Sequence, residues 1–143
     1  MTVTNSLKEQ IAQLIAEGER RKKWRAVRID DTNNGEAVVT LIGYRLPAGW
    51  NRKKANILFL VPFSYPLNRP TWFWAPADLR LASGMSPFCT GTKGQICHPD
   101  IGFRSVAPGR HRAFAWTPTV WHPSRDTLAT FAHLIDKRLE ILR

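Results

Sequence analysis

Ala55-Asn56-Ile57-Leu58-Phe59-Leu60-Val61-Pro62-Phe63 runs into Tyr65-Pro66-Leu67-Asn68-Arg69-Pro70, and then into Thr71-Trp72-Phe73-Trp74. The first segment is apolar, with β-branched and aromatic members, and reads as a buried strand over 55–63. The second forbids regular pairing, because each proline lacks an N–H donor and restricts the residue before it. The third is short, apolar and aromatic, which predicts another strand, Thr71–Trp74. Strand, proline-bounded turn and strand is the grammar of an antiparallel meander.

Working outward, Glu36 to Tyr44 is β-branched and apolar, and Pro47 to Lys54 has loop chemistry. Asn33-Asn34-Gly35 supplies the φ > 0 positions of a hairpin turn after a short extended segment from Trp24 to Ile29. Ahead of it, Leu7, Ile11, Leu14 and Ile15 recur at helical spacing behind Ser6-Leu7-Lys8-Glu9, which has the Ser-x-x-Glu form of a capping box. The basic run Arg20-Arg21-Lys22-Lys23 falls in the last turn of that helix, where the macrodipole favours cations. Past Pro76 the chain is irregular to Pro123, a stretch long enough to be functional. Leu128, Phe131, Leu134, Ile135 and Leu139 then share one face of a helix from Ser124 to Leu142, with Ser124 as its N-cap. The expectation is an α+β fold: N-terminal helix, four-stranded antiparallel meander, irregular region 76–123 and long C-terminal helix.

The chain of 143 residues has the size of one domain, 1–143. With 43% hydrophobic and 22% charged residues it is too apolar for disorder. Its longest apolar run, Ile57 to Val61, is far short of the ~20 residues that span a bilayer. No basic and apolar leader follows Met1, so a soluble cytoplasmic protein without membrane contact is expected. The net charge is +10, spread evenly: 11 basic and 6 acidic side chains in 1–54, 10 and 5 in 55–143. That implies solubility and a preference for acidic partners. Nucleic acid is not the expected partner, because Trp72 and Trp74 alternate with Phe73 in an apolar run that reads as core, and no RRM, KH or helix-turn-helix signature is present.

Cys97 sits in Gly94-Gln95-Ile96-Cys97-His98-Pro99, where glycine and proline predict a loop and an accessible thiol. A lone cysteine is otherwise a small buried hydrophobe. Cys89 follows Pro87-Phe88, and two cysteines in a reducing compartment do not predict a disulfide. No C-x2-C or H-x3-H pair accompanies them, so no metal is expected. Six residues separate Cys97 from Arg104, one more than a phosphate-cradling cysteine–arginine loop needs. His98-Pro99-Asp100 spells a cochaperone tripeptide but lacks helical flanks. No cofactor is expected.

In this order the motifs resemble those of the ubiquitin-conjugating enzyme (UBC-like) superfamily. Tyr65-Pro66-x-x-x-Pro70 resembles the family's turn after the third strand. Gly94-Gln95-Ile96-Cys97 resembles its Gly-x-Ile-Cys, whose cysteine receives the modifier as a thioester. Trp121-His122-Pro123 resembles its Trp-x-Pro before the next helix. The resemblance spans about residues 6–142 and implies that Cys97 is the nucleophile. The chain departs from the family's His-Pro-Asn: the position eight before Cys97 is Cys89, so the asparagine that supports the oxyanion is missing. The interval from Cys97 to Trp121 is longer than usual, and two helices that usually follow are not in the sequence. This combination resembles divergent bacterial relatives associated with an activating enzyme, a ubiquitin-like protein and a metallo-isopeptidase.

The resemblance implies an acyltransferase that accepts the C-terminus of a ubiquitin-like protein from an activating enzyme and passes it to an amine of a target lysine. Aminolysis needs oxyanion donors and a proton acceptor. Thr92, Thr90 and the amides of Gly91–Gly94 are candidate donors, and His98 and Asp100 candidate acceptors. The first helix would dock the activating enzyme through Lys8, Arg20, Arg21, Lys22 and Lys23. Two other readings stand beside this one: a catalytically inactive UBC-like binding module, favoured by the missing asparagine, and a basic nucleic-acid-binding domain.

Overall fold

Leu7 and Leu14 sit two turns apart, and burying them defines the inner side of α1, Asn5–Arg21. Ile11 packs partly against the same core, whereas Ile15 turns outward and is 46% exposed. The structure, a computed structural model, describes residues 5–31, 35–70, 72–87, 111–114 and 120–142. Because α1 already includes Asn5 and Ser6, Ser6 is not the boundary residue that a capping box requires. At the other end Lys22 adopts φ +53°, and the N–H groups of Lys22 and Lys23 return to the carbonyls of Glu19 and Gly18. This left-handed step closes the helix, leaving Lys22 and Lys23 beyond it.

Five strands follow: β1 (Ala26–Asp31), β2 (Ala37–Arg45), β3 (Lys54–Val61), β4 (Phe73–Pro76) and β5 (His111–Phe114). They pair in that order, each antiparallel to the next. The expected four-stranded meander is therefore one strand short. β5 lies inside the segment expected to be irregular, registered on β4 from Phe73↔Phe114 to Pro76↔His111. Four residues are too few to show a period, and His111 and Arg112 read as polar, yet all four residues of β5 are buried. β3 stops at Val61, since Pro62 has no donor to offer the ladder, and Phe63 stands 75% exposed beyond it.

The C-terminal helix α2 runs Leu128–Leu139, shorter at both ends than the expected 124–142. His122 to Asp126 is instead a turn: the N–H groups of Arg125 and Asp126 donate to the His122 carbonyl, and the Asp126 carboxylate accepts from the His122 N–H at 2.7 Å. Ser124 is exposed, and Thr127 takes the N-cap position, its N–H donating to Thr130 Oγ1 at 3.0 Å. No described helix is long and apolar enough to cross a membrane.

Both helices contribute to one large core with the sheet. Phe59 meets Phe131 at 5.1 Å between ring centroids, Phe73 stacks on Phe114 at 4.8 Å, and the Arg138 guanidinium lies over Phe114 at 5.1 Å. The Trp50 indole N–H donates to the Leu139 carbonyl at 2.8 Å, fastening the β2–β3 connection to the end of α2. A second, smaller cluster holds Val38, Leu58, Trp74 and Ala113. Between α1 and α2 the buried Asp136 carboxylate accepts from the Tyr44 hydroxyl and from Arg21 Nη2, the latter at 2.8 Å. Burial pushes the Tyr44 phenol well above its ordinary range, so it stays a donor to Asp136.

Gly18 makes this junction compact. Trp24 donates its indole N–H to the Leu14 carbonyl at 3.0 Å and stacks on Tyr44, and a Cβ on Gly18 would fall 2.1 Å from Trp24 Nε1. Glycine to alanine inside a helix ordinarily gains about 1 kcal/mol. Here Gly18→Ala is expected to destabilise by about 1–3 kcal/mol through overpacking. Urea denaturation reads the sign directly.

Candidate functional site

Gln10 falls three residues after Leu7 and four before Leu14, so its polar side chain is carried toward the buried side of α1. It is used there twice. Its Oε1 accepts from the Tyr65 hydroxyl, and from the Leu128 N–H at 3.0 Å. The second bond satisfies one of the amides that the start of α2 leaves without a helical partner. Tyr65 belongs to the proline-bounded turn, whose Tyr65–Pro66 peptide is cis. Across it Trp121 packs on the Tyr65 ring at 6.1 Å and donates its indole N–H to the Pro66 carbonyl at 3.0 Å. Two of the three motifs that carry the resemblance, Tyr65-Pro66 and Trp121-His122-Pro123, are thus in direct contact.

The third motif falls between two described segments. The segment leaves the described frame after Pro87, and the chain re-enters it at His111, opposite Pro76. Cys97, His98, Asp100, Thr92, Gly94, Gln95 and Ile96 lie outside the described residues, as do Cys89 and Thr90. The connection out of β4 is held before that point. Asn51 donates to the Asp78 carbonyl and accepts from the Arg80 N–H, both at 3.0 Å, and Trp50 bridges to Leu81. Among the described residues no group of three or more His, Cys, Asp or Glu side chains is placed to hold a metal ion.

The basic cluster of α1 divides. Lys8, Arg20 and Lys22 are exposed, with Arg20 paired to Glu17 at 2.7 Å. That hydrogen bond holds the Glu17 carboxyl below its usual range. Arg21 turns toward α2 and Asp136, and Lys23 lies over the Tyr44 ring at 4.8 Å. Burial lowers the Lys23 ammonium from its ordinary value. Of the two tryptophans read as core, Trp74 is buried and Trp72 is 38% exposed, their rings 6.1 Å apart. Gln10 is the residue that sequence reasoning passed over. A polar side chain on the Leu7–Leu14 side was the available signal.

Burial pushes the Tyr65 phenol up to about 12. An unfolded tyrosine titrates near about 10. The folded chain therefore keeps a proton that the unfolded chain releases between those values. Stability tied to Tyr65 is fully present below about pH 10 and is lost as pH rises through about 12. Tyr44 shifts in the same direction. In alkaline urea titrations, Tyr65→Phe is expected to lose stability less steeply than the parent across this window. Equal slopes would mean that burial does not hold the Tyr65 phenol above its ordinary value.

Residues 18–141 match a family model described as prokaryotic E2 family E. No curated protein and no solved structure matches the chain.

Proposed function

The chain belongs to the prokaryotic E2 family E, which puts it in ubiquitin-like conjugation, and we propose that it is a conjugating enzyme carrying its modifier as a thioester on Cys97. The observation that carries this reading is Gly94-Gln95-Ile96-Cys97 inside the matched residues, in order between Tyr65-Pro66 and Trp121-His122-Pro123. The partners are a ubiquitin-like protein, its activating enzyme and a target lysine, with a metallo-isopeptidase acting in the same pathway.

The chemistry has two displacements. In the first, the Cys97 thiolate attacks the thioester carbonyl on the activating enzyme, a new C–S bond forms, and the activating enzyme's sulfur departs as thiolate. The exchange is nearly isoenergetic, so it asks chiefly for an accessible thiolate and close positioning. In the second, a lysine amine attacks the same carbonyl. The C–N bond forms, the amine proton passes to a base, and the C–S bond breaks to release Cys97. His98 and Asp100 are the proposed proton acceptors.

The tetrahedral oxyanion of the second step wants donors worth roughly 2.7–4 kcal/mol each. With Cys89 at the asparagine's index, Thr92, Thr90 or the Gly91–Gly94 amides take that role. Lys8 and the Arg20–Lys23 cluster form the proposed docking face for the activating enzyme, the exposed Lys8, Arg20 and Lys22 making the outward contacts.

The missing asparagine favours a second reading, an inactive binding module that holds the modifier without a covalent step. Incubation with ATP, the activating enzyme and the ubiquitin-like protein separates the two on a non-reducing gel with intact mass. The expected outcome is an ATP-dependent adduct that thiol reductant removes, absent with Cys97→Ala and retained with Cys89→Ala. Lys8→Glu with Arg20→Glu should slow charging by about tenfold at low salt, as reversed rim charges do. An activating enzyme that charges itself but never this chain leaves the binding module as the answer.

A further inference from the structure

At the end of the sheet where β2 finishes and β3 starts, two basins meet. One, of about 540 Å³, lies between the end of α1 and β2, and includes Ile15, Gly18, Glu19, Lys22, Trp24, Arg25 and Arg45 in its wall. The other, of about 730 Å³, runs toward β4 and β5 and includes Arg52, Asp78, Arg80 and His111. Gly43 and Lys54 line both, so together they form one groove.

Its charge is lopsided in a way the fold itself does not resolve. Arg45 and Lys54 are direct partners across β2 and β3, and like charges placed opposite each other on a sheet are destabilising. Arg25 adds a third cation, its side chain lying against Gly43 at 3.4 Å from where a Cβ would be. Gly43 sits at φ +69° in a register shift of β2, its N–H held by Asn56 Oδ1 at 3.0 Å. A side chain here would be strained by the left-handed backbone. The two carboxylates named above do not neutralise the cluster: Asp78 is already paired with Arg52 at 3.0 Å, and Glu19 lies at the α1 end of the wall. Ile15, 46% exposed, adds an apolar surface beside the cations.

We infer that this groove binds an acidic peptide segment with an apolar anchor, carboxylates meeting Arg25, Arg45 and Lys54 while the anchor rests on Ile15. A phosphodiester chain would satisfy the cations but would leave the Ile15 surface unused, so a peptide fits the mixed lining better. Lys22 is shared with the helix-face cations, but the groove does not depend on thioester transfer.

The probe is a fluorescein-labelled peptide of alternating Asp and Glu with one central Leu, titrated with the full chain and read by fluorescence anisotropy at low and physiological salt. Lys54→Glu is expected to weaken binding by about tenfold or more, since it replaces attraction by repulsion at the centre of the groove. The same substitution removes the like-charge pair with Arg45, so the melting temperature should hold or rise, separating lost binding from lost folding. Arg125→Glu, an equal charge change at an exposed site outside the groove, should shift binding by less than about twofold. Ile15→Ser, or Ser in place of the peptide's Leu, should weaken binding several-fold, and Cys97→Ala should leave it unchanged. Equal losses from Lys54→Glu and Arg125→Glu would overturn the groove in favour of net charge alone. Oligothymidine binding more tightly than the peptide and losing affinity with Lys54→Glu would overturn the peptide in favour of nucleic acid.

Discussion

One side-chain oxygen, Oε1 of Gln10, accepts from the Tyr65 hydroxyl and from the first amide of α2. Without that acceptor, a phenol and a helix-end amide would both have to find other partners in a partly buried place, and neither has one within its own element. With it, α1, the proline-bounded turn and the entry to α2 share a vertex, and Trp121 is laid across Tyr65 as a result. The arrangement turns two proline-rich pieces, neither able to pair regularly, into rigid edges of the same surface.

A second junction lies at the far end of α1. Asp136 collects Tyr44 and Arg21, and Trp24 fills the angle that Gly18 leaves open. Sequence proximity made the cations from Arg20 to Lys23 look like one cluster, but helical rotation and the left-handed step at Lys22 send them to different destinations. Arg21 and Lys23 are drawn inward by Asp136 and the Tyr44 ring. The outward charge of this region comes equally from β2 and β3, through Arg45 and Lys54, which are nine residues apart in sequence and directly opposed in space.

The parts of the fold that were legible are those where one physical signal ran long enough to be read. Leu7 and Leu14 define α1, the 37–45 and 54–61 runs define β2 and β3, and the apolar residues from Leu128 to Leu139 define α2. What escaped was decided by tertiary context. β5 is four residues, two of them basic or titratable, and becomes a strand because β4 offers a free edge. Ser124 looked like a cap, but Asp126 turns back on the His122 amide and delays the helix to Leu128. Motif order pointed to the family, whereas the contact of Tyr65 with Trp121 is visible only in the structure. Gln10 has no motif, and only the pattern of its apolar neighbours marks it.

The pairing of Pro76 with His111 has a consequence for how such a protein can diversify. It clasps the two ends of the connection over 77–110 against one another, and the buried Leu79 fastens the start of that connection to the core. For a chain held this way, the entropic penalty of greater length grows only logarithmically, about 0.6 kcal/mol for each doubling. A connection whose ends are clasped can therefore lengthen at little cost to the sheet. The same frame can carry connections of very different length at this position.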